Sequence, residues 1–121
     1  MSQKILLIDD ELDVVEFQKN FLTRRGYQVL TATNTKEAIE AIKKDSPDIV
    51  FCDIQLETDT AGLDILEQVK KIKPDIVIYL ITGFLDKEIE VKGLALGARE
   101  VLTKPISNED FEKKIKEVLL S

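Results

Sequence analysis

Six consecutive residues, Ile76-Val77-Ile78-Tyr79-Leu80-Ile81, carry no charge and show no alternation of polar with apolar side chains. A strand with one wet face alternates, whereas one that is apolar throughout must be covered on both faces. Ile5-Leu6-Leu7-Ile8 and Ile49-Val50-Phe51-Cys52 repeat the pattern, and Glu100 to Thr103 is a shorter run. Tyr27 to Ala32 is more polar and suits a less buried position. Amphipathic stretches separate these runs, so the order is β-α repeated five times. Buried strands joined by helices make a parallel sheet with helices on both faces. The expected fold class is α/β, a doubly wound (βα)5 domain.

The helices follow from 3.6-residue periodicity. Glu11 to Arg25 has Val14, Phe17 and Phe21 at helical spacing, and Gly26 stands where a C-cap should be. Asn34 to Asp45 opens with capping-box spacing, Asn34 and Glu37, and turns Ala38, Ile39 and Ile42 inward. Gly62 to Lys73 presents Ile65, Leu66, Val69 and Ile72, and Pro74 ends it. Asp86 to Ala95 contains Gly93, which costs a helix interior roughly 1 kcal/mol, so this helix is expected to be comparatively mobile. Ser107 caps a last helix with Phe111, Ile115, Val118 and Leu119 inward. A single domain, 1–121, is expected, with no linker, repeat or output domain.

Composition excludes several functions. At 121 residues the chain can bury one real core. Its 17 Lys and Arg against 23 Asp and Glu leave a net charge of −6. With no basic block it is a poor ligand for nucleic acid, and its partners should be proteins or cations. It contains no His. That removes Ser-His-Asp and Cys-His catalysis and every His-ligated metal site. Cys52 is the only cysteine, so no internal disulfide or multi-cysteine zinc site can form, and a reducing, cytoplasmic location is expected. The apolar run after Lys4 is too short for a signal peptide or a membrane span, so no membrane insertion is expected.

Ligands of an open parallel sheet bind beyond the carboxyl ends of its strands, where strand order reverses. The strands here end with Asp9-Asp10, Asp53, Thr82 and Lys104-Pro105. Should the first and third strands be neighbours, three carboxylates converge with a hydroxyl and an ammonium beside them. Such carboxylates repel one another, and a hard cation such as Mg²⁺ relieves the repulsion. An Asp carboxylate can also be the nucleophile in phosphoryl transfer. Each residue has a plainer reading. Asp10 could cap the first helix with Asp13 at N3, Asp53 could be a loop aspartate, and Thr82-Gly83 and Lys104-Pro105 could be turns. Cys52 reads as a small core residue. The joint pattern favours a metal-assisted phosphoryl-acceptor site.

In Ile5-Leu6-Leu7-Ile8-Asp9-Asp10-Glu11, Ile49 to Asp53, Gly62-Leu63, Ile81-Thr82-Gly83, Gly97-Ala98 and Leu102-Thr103-Lys104-Pro105, the chain resembles the receiver domain of two-component response regulators, end to end and of the stand-alone type. The resemblance implies a five-stranded, flavodoxin-like sheet in the order 2-1-3-4-5. It implies that Asp53 accepts the phosphoryl group and that Asp10 binds Mg²⁺ (or Mn²⁺ in its place) directly and Asp9 through water. Gln55 would give its main-chain carbonyl to the metal. Thr82 would turn its hydroxyl toward the phosphoryl group, Lys104 would bind that group, and Pro105 would follow a cis bond. Gln55 and Phe84, two residues past Asp53 and Thr82, would tune access of the hydrolytic water, with the Phe84 ring as a shield. The donor would be a phosphohistidine on a sensor histidine kinase or phosphotransfer protein, and the output contacts with a downstream protein target. No external substrate would be turned over.

Three positions depart from the family pattern. Val101 stands where an aromatic switch residue is usual, Leu56-Glu57 stand where Met-Pro is usual, and the loop from Asp53 to Gly62 is one residue longer. They leave open a receiver-like interaction module that works without phosphorylation. A haloacid-dehalogenase-type phosphatase would want a second Asp at position 55. A flavodoxin-like flavin carrier would want a Ser/Thr-rich phosphate loop where Asp9-Asp10 stand.

Overall fold

The computed structural model of the protein describes residues 3–120; Met1, Ser2 and Ser121, included in the expected 1–121 domain, lie outside the described residues. Strands and helices alternate strictly: β1 (Lys4–Ile8), α1 (Leu12–Arg24), β2 (Gln28–Ala32), α2 (Thr35–Asp45), β3 (Ile49–Asp53), α3 (Ala61–Ile72), β4 (Val77–Thr82), α4 (Lys87–Ala95), β5 (Glu100–Thr103) and α5 (Asn108–Leu119). The strands form one parallel sheet in the order β2-β1-β3-β4-β5. Both the α/β class and the strand order match the expectation.

Alternate residues of each strand point to opposite faces. Leu6, Ile8, Val50, Cys52, Ile78 and Leu80 meet Ala38 and Ile42 of α2 and Leu63, Ile65, Leu66 and Val69 of α3. Ile5, Leu7, Ile49, Phe51, Tyr79 and Ile81 meet Leu22 of α1 and Phe111 and Ile115 of α5. The apolar runs thus feed two cores, one on each face of the sheet. Each fully buried aliphatic or Phe side chain contributes about 1.5–3 kcal/mol of transfer free energy. Phe51 ties the second core together: its ring stacks on Tyr79 at 5.0 Å and meets Phe111 edge-on at 4.9 Å.

Several helix details differ from the expectation. The residue capping α1 is Glu11, not Asp10, and it makes no side-chain cap bond. Buried in α1 are Val15 and Leu22, whereas Phe17 is 66% exposed. Phe17 lies two residues from Val15, about 200° round the helix, so burying one face excludes it. Ile72 and Leu119, in the last turns of α3 and α5, are also exposed. The other caps are as read: Asn34 Oδ1 accepts from Glu37 N–H at 2.9 Å and Ser107 Oγ from Asp110 N–H at 3.1 Å. Glu37 reaches back to Thr33 rather than to Asn34, one residue beyond the capping-box partner. Gly26 ends α1 with φ +96°, which a Cβ would strain. Among the described residues no helix is long and apolar enough to cross a membrane.

Candidate functional site

The sheet order reverses between β1 and β3, and their register pairs Ile8 with Cys52. The next residues, Asp9 and Asp53, therefore emerge side by side. Both are almost fully buried, while Asp10 is exposed. Oxygens of the three carboxylates lie within 4.8 Å of one another. Asp9 is held at both oxygens: Oδ1 accepts from Glu11 N–H at 3.0 Å and Oδ2 from Lys104 Nζ at 3.3 Å. Asp53 Oδ2 accepts from the same ammonium at 2.8 Å. Asp53 Oδ1 is buried and receives no hydrogen bond among the described residues. Lys104 follows β5, its main-chain N–H bonded to Thr82 O at 2.8 Å and its bond to Pro105 cis. Four of the five chemical groups expected at the strand ends, the three carboxylates and the ammonium, are thus brought together.

Thr82 is present but turned aside. Fully buried, its Oγ accepts from Phe84 N–H at 3.3 Å and can donate to Gln55 Oε1 at 3.1 Å or Phe84 O at 3.2 Å. The Phe84 ring is 76% exposed, and the part of this residue that reaches Thr82 is its main chain.

Burial pushes the Asp53 carboxyl up to about 7; the Lys104 ammonium opposes that shift and Asp9 adds to it. Burial by itself would lower the Lys104 ammonium, but Asp53 and Asp9 together outweigh it and hold the group above its ordinary value. One ammonium thus faces two carboxylates, with Asp10 close by. The set is short of positive charge, and Asp53 Oδ1 is a buried acceptor with no donor among the described residues. Hard oxygen ligands in such a cluster fit Mg²⁺ or Mn²⁺. Burial raises the Cys52 thiol, first and most strongly, in keeping with its place as a core residue.

The family model for the response regulator receiver domain matches residues 5–116. The chain belongs to that family. Receivers are signalling modules rather than enzymes that turn over a substrate. This receiver is similar to the alkaline phosphatase synthesis transcriptional regulatory protein PhoP of Bacillus subtilis, 32% identical over 119 residues, 98% of this chain and 49% of that protein. It is similar also to the transcriptional regulatory protein KdpE of Mycobacterium tuberculosis, 34% identical over 112 residues, 93% of this chain and 49% of that protein. It spans about half the length of these curated relatives. Among solved structures, a CheY-like receiver domain protein from Methanospirillum hungatei superposes with a TM-score of 0.92 at 30% identity, covering 98% of this chain and 94% of that one. A receiver domain protein from Clostridium thermocellum gives 0.85 at 32% identity, with 98% and 99% covered.

Two supports of this receiver's site escape a sequence reading. Gly62 passes directly over the end of β3: a Cβ there would lie 2.3 Å from Asp53 O and 2.6 Å from Ile54 Cα. Only glycine allows α3 to start so close, where Gly62 N–H bonds Ile54 O at 2.9 Å and ties the helix to the residue after Asp53. Helical periodicity marked Gly62 as a helix start and the family resemblance included Gly62-Leu63, but neither gave this approach to β3. The second support is Glu57, which stands where proline is usual. Its carboxylate takes the Thr35 N–H at 3.0 Å and hydroxyl at 2.8 Å, tying the β3–α3 loop to the start of α2. The helix N-terminus favours that negative charge. No local signal in the sequence joins residues 57 and 35.

Proposed function

We propose that this receiver accepts a phosphoryl group on Asp53 from a phosphohistidine of a sensor histidine kinase or phosphotransfer protein. The observation that carries the reading is the state of Asp53: buried at the sheet's switch point, one oxygen on Lys104, the other without a donor, and two further carboxylates beside it. A carboxylate oxygen attacks phosphorus, the P–N bond breaks, and its electron pair leaves with the donor imidazole, giving an acyl phosphate. Lys104 Nζ, already 2.8 Å from Asp53, neutralises part of the added charge. Asp9, Asp10 and Asp53, with the Gln55 main-chain carbonyl, would hold a Mg²⁺ that offsets the charge of the phosphoryl oxygens.

Thr82 then turns its hydroxyl toward the new oxygens, a charge-assisted bond worth about 1.5–3 kcal/mol. Val101 is buried against α4 and offers no ring to swing, so the change runs through the Gly83-Phe84-Leu85 loop into α4 and on to a downstream protein target. Gln55 and Phe84 govern how fast water removes the group. The Phe84 ring, as exposed as it is here, shields only after the loop has moved. The reading places the chain in the cytoplasm, the reducing compartment that the free Cys52 suits.

Incubation with acetyl phosphate and Mg²⁺ should add the mass of one phosphoryl group, labile to hydroxylamine. Asp53→Asn should abolish the gain. An undiminished gain in that variant would refute the assignment, and no gain in the wild type would leave the interaction module without phosphorylation as the better reading.

A further inference from the structure

We propose that the Gln55 side chain is a latch on the Thr82 hydroxyl, a positioning residue that sets how readily the domain switches. The inference rests on Asp53 being the phosphoacceptor. A threonine hydroxyl has one proton and two lone pairs. The Phe84 N–H occupies one lone pair at 3.3 Å. Gln55 Oε1 at 3.1 Å and Phe84 O at 3.2 Å compete for the single proton. Among the described residues no hydrogen bond joins Thr82 to Asp53, although their strands are neighbours.

The two acceptors differ in origin. The Phe84 groups are main chain, two residues on, and come with the turn itself. Gln55 comes from the β3–α3 loop, 27 residues away in sequence, and from the same segment that carries the acceptor. Its amide is a side-chain choice at a position that the turn does not dictate. It is half-buried and Thr82 fully so, which strengthens the bond between them. Threonine is stiff at χ1, so the latch selects a discrete rotamer rather than a range of positions.

To reach a phosphoryl oxygen on Asp53, the Thr82 hydroxyl must give up Gln55. An interaction present in only one of two states shifts their balance by its own free energy. With Gln55 removed the proton keeps only Phe84 O, the longer of the two contacts, so the resting state loses its shorter acceptor and switching should ease roughly two- to tenfold, at most the ratio that one neutral hydrogen bond is worth.

The test compares wild type with Gln55→Met, similar in length but without the amide acceptor, and with Gln55→Asn, too short to reach. Each is titrated with trifluoroberyllate at fixed Mg²⁺, read from the Thr82 methyl by NMR. The midpoint should fall roughly two- to tenfold in both variants. In the unliganded protein the three-bond couplings to the Thr82 methyl carbon should become more averaged, a change that a purely structural role for Gln55 would not produce. In a Thr82→Val background, read from the Gly83 amide, Gln55→Met should leave the midpoint unmoved, because the latched hydroxyl is gone. An unshifted midpoint, or the same shift in both backgrounds, overturns the latch while the acceptor reading stands. A wild type that responds neither to trifluoroberyllate nor to acetyl phosphate overturns both.

Discussion

Asp53 Oδ2 sits 2.8 Å from the Lys104 ammonium, a contact that would ordinarily keep a carboxylate ionised. Burial wins instead and lifts the carboxyl to about 7 from an ordinary 3.8. The fold therefore favours the neutral acid. Stability from this group is complete below its unfolded pKa and is lost as pH rises through about 7. Glu37 and Glu57 act with the opposite sign: their backbone hydrogen bonds to Thr33 and Thr35 lower them from 4.5, so their contribution is lost only in acid. Lys104, raised from 10.5, loses its contribution only in strong base. Between pH 5.5 and 8 in EDTA, the melting temperature of the wild type should carry a downward slope that Asp53→Asn removes, and at pH 8 the variant should be the more stable. Parallel pH profiles for the two proteins would falsify this account of Asp53. The residues of the cleft were visible in the sequence because strand ends announce themselves by a change from apolar to polar. Their protonation was not, because it depends on how far the whole domain buries one carboxylate.

Among the elements, α4 gives its glycine a packing role besides its cost to the helix. Gly93 is buried: a Cβ there would lie 3.0 Å from Leu80 Cδ1 and from Val101 Cγ2. It brings α4 down onto β4 and β5, and Val101, where the family usually has an aromatic ring, is its seat. Gly93→Ala gains helix propensity of about 1 kcal/mol but crowds that seat. Val101→Ala vacates it. In a double-mutant cycle by denaturant unfolding, Gly93→Ala should be better tolerated in the Val101→Ala background by about 0.5 kcal/mol or more. Additive effects would show that α4 does not rest on this contact. The elements themselves could be read because apolar runs, the Asn34 and Ser107 caps and the Gly26 stop are local signals. What failed was geometry beyond one turn. Asp10 has the right type for an N-cap, but the chain enters α1 one residue later, with the Asp9 side chain taking the Glu11 N–H. Phe17 has the right spacing on the wrong face. The Gly62 approach to Asp53 and the Glu57 bond to Thr35 arise only when separate segments meet.

At the scale of the molecule, periodicity gave five β-α units but not their arrangement; the order 2-1-3-4-5 came from the family resemblance, and the sheet has it. That order gathers Asp9, Asp10 and Asp53 at one end of a domain whose net charge is already −6. Two apolar cores pack the strands on both faces and hold Asp9 and Asp53 side by side, with one ammonium between them and Asp10 close by. The cluster is therefore a cost in the metal-free state and a binding site in the loaded one. A cation that binds the folded cluster and not the unfolded chain stabilises by mass action, about 2.7 kcal/mol at a hundredfold excess over its dissociation constant. Mg²⁺ should accordingly raise the melting temperature of the unphosphorylated protein by several degrees. Asp10 is exposed, so its truncation sacrifices no packing. Asp10→Ala should lose most of the response to Mg²⁺ and, in EDTA, should melt no lower than wild type because one like charge is gone. A thermal-shift titration of both proteins decides it: equal Mg²⁺-dependent shifts would place the cation elsewhere, and a destabilised Asp10→Ala in EDTA would mean that the carboxylates do not strain the fold.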